Sequence, residues 1–167
     1  TYSSKDFKSI INDKVMAGLS AYVDAGEFTP EGIARAVDVL SGHLKRARYF
    51  NCVRTDIFAT AVLRNCTNSR KAIRAIEEAI GAPVNLLSAR DEAHLSFAGA
   101  SCDRTIDKGT VVDLGGGSTE LIRVEEGRDF DDVSIGQGSL SSYAGYVEFV
   151  MPQADEVEAI ERAFLER

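Results

Sequence analysis

The spacing of apolar residues predicts a long helix in the first third of the chain. Thr29-Pro30-Glu31 offers a threonine N-cap, a proline at the first helical position and an acid in the first turn, which together make a strong helix start. The apolar residues that follow recur at intervals of three and four: Ile33, Val37, Leu40 and Leu44. This spacing predicts a helix that ends near Tyr49.

A second helix is predicted between Asn68 and Ile80. Its apolar face consists of Ala72, Ile73, Ile76 and Ile80. Gly81 follows the last periodic residue and Pro83 comes two residues later, which is typical of a helix C-terminus. We expect Asn68 to cap the N-terminus of this helix rather than to bind a ligand.

The rest of the pattern alternates strands with helices. Strands are predicted at 53–61, 84–88, 110–114, 119–125 and about 131–135. Further helices are predicted at 5–16, from 88 or 91 to 99, at 137–150 and at 153–167. A polar loop covers 101–109, and Glu126-Gly127 forms a turn. This order predicts a single α/β domain over residues 1–167, with a mixed sheet and helices on both of its faces.

Composition narrows the class of protein. The 167 residues suffice for one domain with its own core, and 44% apolar with 27% charged residues is ordinary for a globular protein. No apolar run approaches the roughly 20 residues that cross a bilayer, and the net charge of −7 argues against non-specific nucleic-acid binding. Three cysteines without metal-ligand spacing predict reduced thiols. We therefore expect a cytoplasmic protein with no membrane and no nucleic acid among its partners.

The most informative stretch is a run of three glycines between two strand-like segments. Gly115, Gly116 and Gly117 join Val111–Leu114 to Thr119–Val124. Glycine lets the backbone approach a ligand closely, and successive backbone N–H groups can converge on an anion. Asp113 before the turn and Glu120 after it would repel an anion unless a divalent cation lay between. The local chemistry therefore predicts phosphate together with a metal ion.

Three other interpretations of the glycine turn would each imply a different role for it. Glycine-rich hairpins often only connect strands, and this stays the structural alternative. A Walker A loop is excluded because no Gly-Lys-Ser/Thr follows the glycines. A Rossmann fingerprint is excluded because the glycines precede a strand rather than a helix.

Four segments resemble the exopolyphosphatase/guanosine-pentaphosphate phosphatase family of the actin, sugar-kinase and heat-shock-chaperone superfamily. The stretch from Asp113 to Glu120, Asp-Leu-Gly-Gly-Gly-Ser-Thr-Glu, resembles its second phosphate-binding motif. Residues 58–68 resemble Ala-Thr-Ser-Ala-Leu-Arg-Asp-Ala-x-Asn, residues 87–93 resemble Ile-Ser-Gly-x-Glu-Glu-Ala, and 138–143 resemble Gly-Ser-Leu-x-x-Tyr. The resemblance runs from about Tyr22 to the end of the chain.

The resemblance implies a ribonuclease-H-like, actin-like half-domain. The family's first phosphate-binding loop, Asp-x-Gly-Ser-Asn-Ser, has no match here, and the second half-domain of the family would not fit in 167 residues. We therefore expect most of the N-terminal half-domain of a larger phosphatase, incomplete at its N-terminus and carrying part of an active site.

Residue roles follow from the resemblance. Glu92 matches the family's proposed catalytic carboxylate and would orient and partly deprotonate the attacking water. Asp113 and Glu120 would contact Mg²⁺ or Mn²⁺, directly or through water. The three glycines and Ser118 would bind phosphate. Arg64 would neutralise phosphate oxygens with its planar fork, or would form a structural salt bridge at the end of a strand.

Two residues depart from the family pattern, and they weaken the prediction of the substrate more than the prediction of the fold. Ala61 stands where the family has serine, and Ala89 stands where it has glycine. Ala89 takes a positive φ less easily than glycine, so the approach to Glu92 can differ in shape. Gly138 is expected to lie near the cleft.

Three functions compete on these residues. The first is hydrolysis of the terminal phosphate of inorganic polyphosphate or guanosine pentaphosphate by metal-assisted attack of water, with a homodimer left open. The second is a non-catalytic sensor that binds polyphosphate or a nucleotide. The missing first loop and the replacements at Ala61 and Ala89 favour this function. The third is an ATP-dependent kinase, against which Asp91-Glu92-Ala93 and the Ser-Thr-Glu after the glycines argue.

Two basic clusters could offset the negative net charge for a polyphosphate ligand. Arg70, Lys71 and Arg74 fall on one predicted helix, and residues 45, 46 and 48 on another. The structural alternative for both is a solvated helix face.

Overall fold

The computed structural model describes residues 11–102 and 104–166. Their contacts form two compact units, which divide between Ser88 and Ala89. We call the described residues 11–88 the N-terminal unit and those from 89 to 166 the C-terminal unit. The strand pairs form three separate sheets in the described residues, so the parallel and antiparallel pairings expected of a mixed sheet occur in different sheets.

The N-terminal unit is mainly helical, with two short strand pairs. After a 3-10 turn at Leu19–Tyr22, its elements are β1 (Val23–Asp24), β2 (Glu27–Phe28), α1 (Pro30–Tyr49), β3 (Phe58–Ala59), α2 (Ala61–Arg64), α3 (Ser69–Ile80) and β4 (Asn85–Leu86). Strands β1 and β2 pair antiparallel, whereas β3 and β4 pair in parallel. The parallel pair is the βαβ arrangement that helices between strands predict.

Helix α1 begins as its sequence predicts. The Thr29 hydroxyl oxygen accepts the Gly32 N–H at 3.2 Å, and Pro30 occupies the first helical position. Gly32 also meets a space requirement, because a Cβ atom there would lie 2.8 Å from the Phe28 ring. Phe28 is fully buried and belongs to a core with Ala36, Ile57, Ala72 and Ile76. The apolar stripes of α1 and α3 meet in this core.

Asn68 precedes α3 but does not cap it with its side chain. Its Oδ1 accepts the Phe28 N–H at 2.9 Å, and its Nδ2 donates to the Phe28 carbonyl oxygen at 2.9 Å. The predicted cap is therefore wrong, because a backbone 40 residues away competes successfully for the amide. The other end of α3 follows the prediction. Gly81 adopts φ 68°, and its N–H donates to the Glu77 carbonyl oxygen at 2.8 Å.

Three predicted elements differ from the structure in the N-terminal unit. The predicted strand 84–88 covers only Asn85–Leu86. The predicted strand 53–61 shrinks to Phe58–Ala59, since only these residues find a partner strand, and Val53 is 99% exposed. Residues 61–64 turn into α2 instead. Of the predicted helix 5–16, residues 5–10 lie outside the described residues, and 11–16 are not helical.

The C-terminal unit places helices against a three-stranded antiparallel sheet. Its elements are α4 (Ala89–Ala100), β5 (Gly109–Leu114), β6 (Thr119–Glu125), β7 (Arg128–Ile135), α5 (Ser139–Tyr146) and α6 (Ala154–Leu165). The sheet order is β5-β6-β7. Helix α4 packs Ala93 and Phe97 against Ile122 and Val124, which are completely buried. One face of β6 and one face of α4 thus form the core of this unit.

The sequence predicts these elements closely, although the helices near the C-terminus are shorter than expected. The predicted helix 137–150 covers only Ser139–Tyr146, and the last helix ends at Leu165. The turn at Glu126-Gly127 is present, with positive φ at both residues. Among the described residues, no helix is both long enough and apolar enough to cross a membrane.

Candidate functional site

The glycine turn joins β5 to β6, and the two acids flanking it face each other across these strands. Asp113 pairs with Glu120, and Leu114 pairs with Thr119. Directly opposite residues of an antiparallel pair project from the same face of the sheet, with Cβ atoms about 4.5–5.5 Å apart. The two carboxylates predicted from the sequence are therefore neighbours. They share the sheet face that carries Ile122, against which α4 packs.

Asp113 is held by α4 through Ser96. The Ser96 hydroxyl donates a hydrogen bond to Asp113 Oδ2. Ser96 follows Glu92 by four residues, so both side chains lie on the same face of α4, one turn apart. This spacing brings Glu92, the predicted catalytic residue, to the side of α4 that meets Asp113.

Glu120 is 1% exposed. Its Oε1 accepts the Ser134 hydroxyl of β7 at 3.0 Å. Burial of a carboxylate is costly unless hydrogen bonds or a cation compensate for the lost water. The Ser134 hydroxyl compensates for part of the water that the carboxylate of Glu120 loses.

The glycine turn is fixed by the first turn of α5. The Gly115 carbonyl oxygen accepts the Ser139 N–H at 2.9 Å, and the Gly116 carbonyl oxygen accepts the N–H groups of Leu140 and Ser141 at 2.9 and 3.0 Å. These three donors are the N–H groups that a helix start leaves without intrahelical partners. The carbonyl oxygens of Gly115 and Gly116 are therefore bonded to α5.

Gly138 makes this docking possible. A Cβ atom at residue 138 would lie 2.5 Å from the Gly115 carbonyl oxygen and 2.7 Å from the Gly116 carbonyl carbon. Gly115, Gly116 and Gly138 all have φ outside the left-handed region. Glycine is therefore favoured at this contact by close packing and not by backbone conformation. The sequence places Gly138 near the cleft, and the structure places it directly against the glycine turn.

The N–H groups of the glycine turn have fewer hydrogen-bond partners than its carbonyl groups. Gly115 N–H donates to the Ser118 carbonyl oxygen at 2.9 Å, whereas the N–H groups of Gly116 and Gly117 have no hydrogen-bond acceptor within residues 11–102 and 104–166. Two backbone donors thus remain for an anion. Ser118 is only 4% exposed, so its predicted hydroxyl contact with phosphate needs a ligand that approaches this turn closely.

A buried polar network supports the turn from the other side. The Thr119 hydroxyl donates to the Gln137 carbonyl oxygen at 2.7 Å, and Gln137 Nε2 donates to the Ser142 hydroxyl at 3.1 Å. All three residues are buried. Sequence reasoning missed Gln137, Ser134 and Ser96. Only Ser96 leaves a signal in the sequence, its four-residue spacing from Glu92.

Helix α4 is also tied to β7 on both sides of Glu92. His94 Nδ1 lies 2.8 Å from Asp129 Oδ2, and Arg90 Nη1 lies 3.7 Å from Asp132 Oδ1. The hydrogen bond from His94 lowers the pKa of the Asp129 carboxyl, and the charges of His94 and Arg90 act in the same direction. The structure thus gives His94 a contact with β7.

Arg64 belongs to the N-terminal unit, at the end of α2. Its Nη1 donates to the Leu87 carbonyl oxygen at 3.2 Å, which ties α2 to the segment after β4. This contact is structural, and both predicted roles of Arg64, the binding of phosphate and a salt bridge, stay predictions.

The residues around the turn fit a magnesium ion of the kind that keeps most of its water. No group of three or more His, Cys, Asp or Glu side chains in the described part of the chain could hold a metal ion by itself. Mg²⁺ usually takes one or two carboxylates and completes its octahedron with water and phosphate oxygens. Asp113 and Glu120 provide two adjacent carboxylates, and each uses an oxygen for a serine hydroxyl.

Comparison with known proteins agrees with this geometry. The model of the Ppx/GppA phosphatase family matches residues 2–167. The chain belongs to the Ppx/GppA phosphatase family. A guanosine-5'-triphosphate,3'-diphosphate pyrophosphatase of Photobacterium profundum is 32% identical over 117 residues, which cover 70% of this chain and 23% of that protein. The Ppx/GppA resemblance seen in the sequence is thereby confirmed.

Solved structures of the Ppx/GppA family show the same fold. An exopolyphosphatase from Cytophaga hutchinsonii superposes with a TM-score of 0.82 at 22% identity, over 94% of this chain and 51% of that one. The Aquifex aeolicus member of the Ppx/GppA family superposes with a TM-score of 0.70 at 21% identity, over 90% and 50%. The predicted actin-like α/β fold is confirmed. The chain spans about half the length of these structures.

Proposed function

We propose that this chain is part of a phosphatase that releases the terminal phosphate of inorganic polyphosphate or guanosine pentaphosphate. The observation that carries the proposal is the sequence of contacts in the C-terminal unit. Glu92 lies one turn before Ser96, Ser96 donates to Asp113, and Asp113 faces Glu120 at the start of the glycine turn. A base, a metal-binding pair and an anion-binding backbone thus come from adjacent elements.

Each part of this arrangement has one task. The N–H groups of Gly116 and Gly117 would donate to oxygens of the terminal phosphoryl group, where negative charge is concentrated in phosphoryl transfer. Asp113 and Glu120 would hold Mg²⁺ or Mn²⁺. When bound, the metal would neutralise charge on the phosphate oxygens.

Glu92 would act on the attacking water. Its carboxylate would accept a proton from the water as the oxygen attacks the terminal phosphorus. The bond between this phosphorus and the bridging oxygen breaks, the shortened polyphosphate or nucleotide leaves with that oxygen, and the terminal phosphate is released.

The substrate classes come from the relatives. The C. hutchinsonii structure is that of an exopolyphosphatase, and the P. profundum protein is named for a guanosine pentaphosphate substrate. Both substrates end in a phosphoanhydride, so the glycine turn would meet the same terminal group in either.

Phosphate release by the protein expressed from its complete native gene tests this proposal. Malachite-green detection would follow release from long-chain polyphosphate and from guanosine pentaphosphate with Mg²⁺, Mn²⁺ or EDTA. Glu92→Gln keeps the shape of the side chain and is expected to lower kcat at least about a hundredfold. Glu158→Gln, at an exposed position of α6, is the matched control and should leave the rate unchanged.

Two results would contradict the proposal. The first is no release from either substrate with any metal, and the second is equal activity of the Glu92→Gln protein and wild type. Calorimetric binding of polyphosphate that survives Glu92→Gln, without turnover, would support the sensor instead.

A further inference from the structure

Three cations lie together on the exposed side of α3. Arg70, Lys71 and Arg74 are all exposed, and we call them the α3 basic face. Residues four apart in a helix lie on the same side, so Arg70 and Arg74 project in similar directions about 6 Å apart along the helix axis. With Ala75 and Glu78 the three cations line a shallow depression.

The α3 basic face has no ion-pair partner among residues 11–102 and 104–166. Elsewhere an exposed arginine does find one, as Arg46 does with Asp13 at 2.7 Å. Glu78 lines the depression but forms no ion pair there. Glu77 is engaged elsewhere, because its Oε1 accepts the Val84 N–H at 2.7 Å. The positive charge of this face is therefore not neutralised within the described structure.

The cations also oppose the local helix dipole. Arg70 and Lys71 lie in the first turn of α3, which contains no acid. A cation at the positive end of a helix is unfavourable. Asn68 does not compensate, because its side chain is bonded to the backbone of Phe28. A bound anion would relieve this repulsion.

We propose that the α3 basic face binds the chain of inorganic polyphosphate. This inference rests on the proposed function, in which polyphosphate is a substrate. A linear polyanion carries charge on every unit and can contact Arg70 and Arg74 at the same time. A single phosphate could contact both only if the two side chains bent towards each other. The face stands out against a net charge of −7, so it provides local attraction where the protein as a whole repels the ligand.

Single-stranded nucleic acid is a less suitable ligand for this surface. Proteins that bind it combine basic grooves with aromatic side chains on which bases stack. Helix α3 has the sequence SRKAIRAIEEAI and offers no aromatic residue. Polyphosphate has no bases and needs only the positive charge.

A pair of double variants tests the inference. Arg70→Gln/Arg74→Gln removes two charges from the α3 basic face. Lys108→Gln/Arg128→Gln is the matched control, because it removes two charges from exposed positions of the C-terminal unit. Both would be made in the protein expressed from the complete native gene. Calorimetry would measure the Kd of long-chain polyphosphate at two or more salt concentrations, and circular dichroism would verify that each variant is folded.

The expected result is specific to α3. Arg70→Gln/Arg74→Gln should raise the Kd about five- to tenfold at low salt and reduce the slope of log Kd against log salt by about 1.4, or about 0.7 per cation. The control should change neither quantity.

Two outcomes would overturn the inference. One is equal weakening by both double variants, which would indicate net charge alone. The other is a single-stranded oligonucleotide that binds as tightly as polyphosphate and loses the same affinity in Arg70→Gln/Arg74→Gln. The proposed function fails separately: binding that depends on Arg70 and Arg74 without phosphate release would refute hydrolysis and support the α3 basic face.

Discussion

Gly138 lies so close to Gly115 that a Cβ atom on residue 138 would be 2.5 Å from the Gly115 carbonyl oxygen. This contact joins the start of α5 to the turn between β5 and β6. Because the carbonyl oxygens of the turn accept N–H groups of α5, the position of the turn depends on the space that Gly138 leaves.

Gly138→Ala is therefore expected to displace the glycine turn. A shift of about 1 Å in a binding group can lower the rate a hundredfold, so phosphate release should fall by about that factor. Overpacking of this kind costs about 1–3 kcal/mol of stability, which urea denaturation would measure. Gly145→Ala in the same helix is the control. Nothing lies within 4 Å of its added Cβ, and it should preserve activity. Retained activity in Gly138→Ala would contradict the role of this contact.

Ser96→Ala removes the hydroxyl that donates to Asp113. A hydrogen bond to a charged group contributes about 1.5–3 kcal/mol, and without it Asp113 loses its anchor on α4. We expect kcat to fall about tenfold, together with a higher Mg²⁺ concentration for half-maximal rate. Ser101→Ala is the comparison, because the Ser101 hydroxyl donates to the Phe97 carbonyl oxygen and does not touch Asp113. If the two variants respond alike to Mg²⁺, Ser96 does not act through Asp113.

Asn68→Ala should destabilise the N-terminal unit. The substitution leaves the N–H and carbonyl groups of Phe28 without the partners that they have now, beside a fully buried ring. Loss of these partners should lower the free energy of unfolding by about 1–3 kcal/mol, measured by chemical denaturation. Asn65→Ala, at an exposed position, should change it by less than about 0.5 kcal/mol. Equal effects would show that the Asn68 contacts contribute little.

The lowered pKa of Asp129 predicts a pH dependence of stability. Its carboxyl ionises below the ordinary 3.8 because of His94 and Arg90, so the folded state binds fewer protons than the unfolded state. The contribution is fully present above 3.8 and is lost as the pH falls through the lower value in the folded protein. Asp129→Asn should thus lower stability at about pH 5 and have a shrinking effect towards about pH 2.

Asp131→Asn provides the comparison for this titration. Asp131 is exposed on the same strand, and within residues 11–102 and 104–166 its Oδ1 accepts only the neighbouring Asp132 N–H. Its effect on the free energy of unfolding should vary little over the same range. A pH dependence as large as that of Asp129→Asn would assign the effect to the general charge of β7 rather than to the contact with His94.

Several elements were predictable because their causes are local. Helix α1 has its cap, its proline and its apolar stripe within one segment, and Gly81 ends α3 by a backbone conformation that glycine adopts readily. The glycine turn could also be assigned to a strand pair, because the strand-like segments and the two acids lie directly next to it in the chain. The family motifs also follow from residues that are adjacent in the chain. The sequence by itself thus determined α1, α3, the antiparallel turn and the Ppx/GppA family.

Only the tertiary structure decided which distant groups meet. The Asn68 side chain could cap α3 or form hydrogen bonds with the backbone of Phe28. Packing around the buried Phe28 ring favours the bonds to Phe28. Ser96 meets Asp113 across 17 residues, and Gly138 meets Gly115 across 23. The strand at 58–59 is short because a strand extends only as far as its partner. Such contacts depend on how complete elements pack, and that information is not contained in the spacing of residues along one segment.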